Sequence, residues 1–235
     1  MKRLWLLVLI LALMIAGNSI AQTEIECETI TPPTDGLAYY VGLGNGYYEQ
    51  GDFNTAIIVY TCALERDPNY APAYVSRGFA YAALGNQASA LDDYNRAIEL
   101  DENLLSAYVN RGILYTVQGR FGLALTDFDL VIALDPENAV AYNNRGVVHA
   151  AEGDYDLALA DFEQAIALAP EYPAPYAALG VVYSAMAVEN YARYRELTGN
   201  PRLPSGDMDI VIQSLAIERE TGTFNTWLAL QTASQ

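Results

Sequence analysis

The chain has 235 residues, and its 29 acidic residues outnumber its 12 basic ones, which gives a formal net charge of −17. Such an acidic surface repels nucleic acids and anionic membranes, and it favours basic partners or simply keeps the protein soluble. We therefore do not expect a nucleic-acid-binding protein.

The first 21 residues have the features of an export signal. A basic pair, Lys2 and Arg3, precedes an apolar run that extends to Ala16, and small residues end the segment at Ala21. This pattern predicts a secretion signal over residues 1–21, cleaved after Ala21, and hence a location in the periplasm, the cell envelope or outside the cell. An uncleaved membrane anchor is the alternative, although the run is short for a bilayer span of about 20 residues. Only that alternative would place the protein at a membrane.

A polar strap over residues 22–36, which contains Pro32 and Pro33, leads into the first predicted helix. Cys27 lies in this strap and Cys62 in the region that follows. In an oxidising compartment the two could form one disulfide, and two buried free thiols are the alternative.

From residue 37 onward the sequence repeats every 34 residues. Apolar residues spaced three and four positions apart predict two helices, A and B, in each copy, and a glycine marks the turn between them. A period of this length predicts stacked helical hairpins that bury their apolar faces against one another. The four full copies are residues 37–70, 71–104, 105–138 and 139–172.

A fifth copy over residues 173–222 departs from this plan. Its helix A contains the expected Gly180, but the glycine turn is missing and a helix B pattern resumes only at Gly206. We predict an insertion over residues 187–205 that lengthens helix A and adds a loop, followed by a C-terminal cap over residues 223–235. Terminal repeats of such arrays are commonly atypical because their outer face meets water.

Charged residues recur together in repeats two, three and four. An arginine precedes the helix A glycine and an aspartate precedes the helix B aromatic residue. A guanidinium can donate two parallel hydrogen bonds to a carboxylate, so we predict pairs that join helix A to helix B within a repeat or between neighbours. Arginines that grip an acidic ligand are the alternative. The residues concerned are Arg77, Arg111, Arg145, Asp93, Asp127 and Asp161.

The recurring aromatic, arginine or leucine, glycine, tyrosine, small, aromatic and proline positions resemble the tetratricopeptide repeat family. In the third copy these include Tyr108, Arg111, Gly112, Ala124, Phe128 and Pro136. The resemblance implies an all-α fold, a right-handed α-solenoid of antiparallel helix pairs, in which the A helices line a concave groove. It also implies a non-catalytic scaffold that holds a peptide or a partner protein.

If this geometry holds, the floor of the groove consists of helix A positions that vary between repeats. Asparagine amides suit a peptide backbone and apolar side chains suit its side chains, although the apolar ones could equally pack against neighbouring helices. The basic clamp with which some family members hold a terminal carboxylate is not found here, which argues against an acidic C-terminal ligand. The predicted partner-binding residues are Asn45, Tyr48, Phe79, Asn110, Ile113, Asn143, Asn144 and Val147.

Little in the sequence points to catalysis, a metal or a cofactor. His149, the single histidine, stands where the other repeats have tyrosine, so we interpret it as a ring at the edge of the core. There is no G-x-S-x-G segment, no histidine pair, no closely spaced cysteines and no phosphate-binding glycine loop. We predict a scaffold without catalytic residues, metal or cofactor. The alternative is a structural component of a cell-envelope assembly, tethered by an uncleaved N-terminus.

Overall fold

The computed structural model describes residues 27–32 and 36–199. A short 3-10 helix, Cys27–Thr29, precedes nine α-helices, and no strand occurs in this part of the chain. The predicted secretion signal over 1–21 and the C-terminal cap over 223–235 lie outside the described residues, as do the last part of the predicted insertion, 200–205, and the remainder of the fifth repeat, 206–222. The helices are α1 (Leu37–Glu49), α2 (Phe53–Arg66), α3 (Ala71–Ala83), α4 (Gln87–Leu100), α5 (Leu105–Val117), α6 (Phe121–Leu134), α7 (Ala139–Glu152), α8 (Tyr155–Leu168) and α9 (Pro173–Thr198).

The helices pack as consecutive hairpins in which an A helix is followed by a B helix. The A helices are α1, α3, α5, α7 and α9, and the B helices are α2, α4, α6 and α8. Each A helix also contacts the next A helix, whereas successive B helices in the described chain do not pack comparably. The A helices therefore lie on the inner side of the curved array. This arrangement confirms the predicted all-α solenoid of helix pairs.

Short turns of one kind separate the helices of the four hairpins. Gly119 has φ +69°, a left-handed conformation that side chains with a Cβ adopt only at a cost, and the glycines at the same place in the other three hairpins share it. The Asp52 carboxylate then accepts a hydrogen bond from the backbone N–H of Thr55 and so caps α2, and the Asn86 side chain caps α4 in the same way through Ser89. The glycine turn thus recurs in all four hairpins, whereas the side-chain cap occurs only in the first two.

The core of each hairpin forms where a helix A glycine meets a helix B ring. A Cβ placed on Gly112 would lie 2.7 Å from the ring of Phe128, which is fully buried. Gly78 and Tyr94 make the same contact in the second hairpin. Because the ring fills the space that a side chain would need, glycine allows the two helices to cross closely.

The strap is attached to the first hairpin. Cys27 and Cys62 form a disulfide with their Cα atoms 5.2 Å apart, which decides between the two alternatives left open by the sequence. The Tyr40 hydroxyl donates a hydrogen bond to the carbonyl of Ile30 at 3.3 Å, and both side chains belong to the same buried cluster. The strap therefore covers the open end of the first repeat.

Helix α9 differs from the other A helices in length. It continues for 26 residues, whereas α1, α3 and α5 have 13 each, and Gly199, with φ +62°, caps its C-terminal end. The first part of the predicted insertion is thus a helical extension. Among the described helices, none combines the length and the apolar character needed to cross a membrane.

Candidate partner-binding groove

The A helices of the first three repeats form a cleft on the inner side of the array. It has a volume of about 370 Å³. Four of the predicted partner-binding residues lie together in it, namely Asn45, Tyr48, Phe79 and Asn110. The remaining lining residues are Glu49, Tyr60, Val75 and Ser76. The cleft thus combines aromatic rings, amide groups and a single carboxylate.

Aromatic stacking builds the apolar part of this cleft. The ring of Tyr48 stacks on that of Phe79, with centroids 4.9 Å apart and planes 28° apart, and it also contacts Phe53 at 5.0 Å. These contacts join α1 to α3 and to the start of α2. The stack provides a preformed apolar surface on which an incoming side chain can pack.

A part-buried hydrogen bond fixes the polar part. The Tyr60 hydroxyl donates to the side-chain Oδ1 of Asn45 at 2.7 Å, and among the described residues nothing occupies the amide NH₂ of Asn45, which can donate to a ligand. Burial, with smaller contributions from the negative charges of the neighbouring Tyr48 and Glu49, raises the pKa of Tyr60 to about 12. Burial also raises the pKa of Tyr48. Both phenols are therefore neutral hydrogen-bond donors near neutral pH.

The other four predicted residues do not line this cleft. Asn143, Asn144 and Val147 on α7 are only 2–3% exposed. Val147 packs in a cluster with residues of α9, and the Asn144 amide donates to the carbonyl of Val140 in its own helix at 3.0 Å. Ile113 is half-buried against the cluster around Phe128. These residues act as packing groups in this structure, and any contact of theirs with a partner stays a prediction.

The predicted arginine and aspartate pairs are confirmed, and all three lie within one repeat. In the third repeat, Arg111 donates from Nε to Oδ2 of Asp127 at 2.9 Å and from Nη2 to Oδ1 at 2.7 Å. The same two bonds join the arginine and aspartate of repeats two and four at 2.7–2.9 Å. The residues paired in this way are Arg77 with Asp93, Arg111 with Asp127, and Arg145 with Asp161.

A third bond from each arginine reaches the preceding repeat. The Nη1 group donates to the side chain that stands at the same place on the preceding B helix, and this residue differs from repeat to repeat. The acceptors are Thr61 for Arg77 at 3.2 Å, Asn95 for Arg111 at 2.7 Å and Asp129 for Arg145 at 2.6 Å. Each guanidinium therefore joins two B helices through one A helix.

These arginines are not available to an acidic ligand. The hydrogen bonds to the aspartates raise the pKa of all three guanidinium groups, against the opposing effect of burial. The aspartate side chains are only 4–8% exposed. No basic residue lines the cleft in the described part of the chain. The arrangement favours the structural interpretation of the charges over an acid-binding one.

A second group of polar side chains lies at the turn between α7 and α8. A ring nitrogen of His149 and carboxylate oxygens of Glu152 and Asp154 all lie within 4.8 Å of one another, and within the described residues this is the group that could hold a metal ion. The group contains neither a histidine pair nor closely spaced cysteines, which are the usual sequence signs of a metal site. The available signal in the sequence was that His149 and Glu152 depart from the residues at these positions in the other complete repeats, next to an aspartate, Asp154, that the first repeat also has as Asp52.

Family models match three segments of the chain. The model described as "Tetratricopeptide repeat" matches residues 71–104 and 139–172, and the model described as "TPR repeat" matches residues 44–85. A comparison of the sequence with curated proteins gave no match.

Several solved structures resemble the chain. The structure from the functional characterization of Pseudomonas aeruginosa pilF has a TM-score of 0.60 and 21% identity, and the alignment covers 83% of this chain and 89% of that one. A crystal structure of the MamA protein has a TM-score of 0.54 and 23% identity, with coverages of 79% and 92%. At these identities the likeness shows the fold alone.

A third solved structure is the first TPR of Spaghetti (RPAP3) bound to the HSP90 peptide SRMEEVD. It is 29% identical, covers 50% of this chain and 93% of that one, and has a TM-score of 0.47, which is too low to carry an argument about ligands. The segment matches and the repeated hairpin geometry agree with each other. We therefore identify the helical hairpins over residues 44–104 and 139–172 as tetratricopeptide repeats, a type of repeat that serves as a scaffold for protein–protein interaction.

Proposed function

We propose that the protein is an exported scaffold that binds an extended segment of a partner protein in the cleft between α1, α3 and α5. The observation that supports this most directly is the joint presence in one cleft of the stacked Tyr48 and Phe79 rings and the amides of Asn45 and Asn110. Rings accept apolar side chains, whereas amides can donate to and accept from a peptide backbone. Catalysis has no part in this proposal.

The charges around the cleft favour a basic partner. Glu49 is the charged lining residue, and it is exposed. A lysine or arginine of the bound segment could pair with this carboxylate and lie over the face of Tyr48 or Phe79. The net charge of −17 would also attract a basic partner over longer distances.

Export is part of the same proposal. The predicted secretion signal lies outside the described residues, but the disulfide between Cys27 and Cys62 suits an oxidising compartment. N-terminal sequencing of the protein from its native host should find Gln22 as the first residue of the mature chain. An intact N-terminus in the membrane fraction would instead support the tethered alternative.

Selection of peptides from a random library on the full chain would test the binding site. Affinities of the selected peptides, measured by fluorescence polarisation, should fall at least tenfold on Phe79→Ala and on Asn110→Ala. Peptides that contain lysine or arginine should bind more weakly to the Glu49→Gln variant than to the wild type. Their affinity for the wild type should also fall as the salt concentration rises.

Leu130 offers a matched control because it is exposed on the B helix α6, away from the cleft. Leu130→Ala should leave the peptide affinities unchanged. If the selected peptides bind equally well to the Phe79 and Asn110 variants, the cleft is not the binding site and the proposal fails.

A further inference from the structure

The turn between α7 and α8 brings together three side chains that commonly bind metals. His149 lies in the last turn of α7, Glu152 ends this helix, and Asp154 directly precedes α8. Their potential ligand atoms lie within 4.8 Å of one another. Ligand atoms around one Zn²⁺ ion, each about 2.0–2.2 Å from the metal, are separated by roughly 3–4.4 Å. The three groups are therefore close enough to bind one ion after small side-chain movements.

The other repeats show that the fold does not require this combination. None of the other complete repeats has metal-binding side chains at all three corresponding positions. The sets are Tyr47, Gln50 and Asp52 in the first repeat, Tyr81, Leu84 and Asn86 in the second, and Tyr115, Gln118 and Arg120 in the third. The fourth repeat alone among these has an imidazole and two carboxylates. Since the same hairpin forms in the other repeats without this combination, folding does not require it.

Asp154 does not perform the role of its counterparts. Asp52 and Asn86, at the same position, accept hydrogen bonds from the backbone N–H groups of Thr55 and Ser89 at 3.1 and 3.3 Å. The side chain of Asp154 makes no such bond to the start of α8. The carboxylate of Asp154 therefore does not cap α8, and it can coordinate an ion together with Glu152 and His149.

His149 has a buried ring nitrogen without a partner. Its side chain is 16% exposed, and its Nε2 lies 3.9 Å from Oδ2 of Asp161. The Nδ1 atom is buried and has no hydrogen-bond partner among the described residues. A buried polar atom without a partner costs free energy, and a metal ion coordinated through Nδ1 would satisfy it.

We propose that His149, Glu152 and Asp154 bind one divalent transition-metal ion of the Zn²⁺ type. One imidazole nitrogen with two carboxylate oxygens suits Zn²⁺ better than Mg²⁺ or Ca²⁺, which prefer oxygen ligands alone. The ion would balance the two adjacent carboxylates and connect the end of α7 to the start of α8. The site is independent of the cleft between α1, α3 and α5, so it stands or falls separately from the proposed function.

Isothermal titration of the full chain with ZnCl₂ tests this proposal directly. The protein is used without an affinity tag and after treatment with EDTA. Free thiols, which would also bind Zn²⁺, are absent because both cysteines of the chain form the disulfide. We expect one ion bound per chain, an increase in melting temperature on addition of Zn²⁺, and no displacement of the ion by millimolar Mg²⁺.

The repeats themselves supply conservative variants. His149→Tyr, Glu152→Gln and Asp154→Asn each introduce the residue that another repeat has at that position, so the hairpin should still form. Each variant should weaken Zn²⁺ binding at least tenfold while its melting temperature in EDTA stays close to that of the wild type.

The control is Asp156→Asn, which changes an exposed acid two residues away to the residue that stands at the same position in the first repeat, Asn54. It should leave the affinity for Zn²⁺ unchanged. If no saturable single-site binding occurs, or if Asp156→Asn weakens binding as much as Asp154→Asn does, the ion is attracted only by the acidic surface and the proposal is overturned.

Discussion

Arg111 of α5 and Asp127 of α6 are joined by two parallel hydrogen bonds of 2.9 and 2.7 Å, and the same arginine reaches Asn95 of the preceding repeat at 2.7 Å. One side chain thus connects both helices of its own hairpin and the hairpin before it. Because the Asp127 side chain is only 4% exposed, this carboxylate depends on the arginine to replace its lost hydration.

We expect Asp127→Ala to lower the free energy of unfolding by about 3–5 kcal/mol, since it leaves a half-buried guanidinium without its partner. Arg111→Ala should have a comparable effect, and the double variant should lose clearly less than the two single losses added together. Urea denaturation of the four proteins measures this coupling. The exposed pair of Arg96 and Glu99 is the control, and Glu99→Gln should cause no measurable change. Strictly additive losses at Arg111 and Asp127 would contradict the pairing.

Gly112→Ala should destabilise the third hairpin. The new methyl group would lie 2.7 Å from the ring of Phe128, so either the ring or the helix has to move, at a cost of about 1–3 kcal/mol. Gly122→Ala is the matched control, because this helical glycine faces open space and alanine favours helix by up to about 1 kcal/mol. Thermal denaturation should show opposite shifts for the two variants. An equal effect of both would mean that the close helix crossing is not what requires glycine.

Loss of the disulfide should destabilise the N-terminal end of the array. The bond joins residues 35 apart in sequence, and a loop of this length corresponds to a stabilisation of about 3–4 kcal/mol through the entropy of the unfolded chain. The variant with both Cys27→Ala and Cys62→Ala should therefore melt at a lower temperature than the oxidised wild type. A reducing agent should lower the melting temperature of the wild type and leave that of the variant unchanged. Identical melting of reduced and oxidised wild type would rule out this contribution.

Stability should fall at alkaline pH because of Tyr60. Burial raises its pKa in the folded protein to about 12, whereas the ordinary value is about 10. The folded state therefore holds the proton more tightly than the unfolded state, so the contribution is complete below pH 10 and is lost as pH rises from 10 to 12. Two pKa units correspond to a loss of roughly 2–3 kcal/mol.

Denaturation series between pH 8 and pH 12 can measure this loss, with Tyr60→Phe as the comparison. Phenylalanine occupies the same place in the third and fourth repeats, as Phe128 and Phe162, so its ring should fit. We expect a smaller decline for Tyr60→Phe than for the wild type. A decline of equal size would assign the effect to other groups, such as Tyr94, whose pKa burial also raises.

The period of 34 residues was sufficient to predict the helices, their turns and their pairing. Helix, turn and nearest-neighbour packing depend on residues that are close in sequence, and in a repeat array each hairpin contacts mainly its neighbours. For the same reason the arginine and aspartate partners could be predicted, since each pair spans one hairpin with a constant spacing of 16 residues, as in Arg111 and Asp127. Four of the eight predicted binding residues likewise lie together in one cleft.

By itself, then, the sequence determined the repeated hairpin and the composition of its inner face. Only the tertiary structure decided which inner residues are accessible. Asn143, Asn144 and Val147 are buried, and Val147 packs against residues of α9, whereas residues of the first three A helices line the cleft. The disulfide and the group formed by His149, Glu152 and Asp154 also became visible only in three dimensions. Their formation depends on the distances between particular atoms across a strap or a turn, and a periodic pattern does not specify such distances.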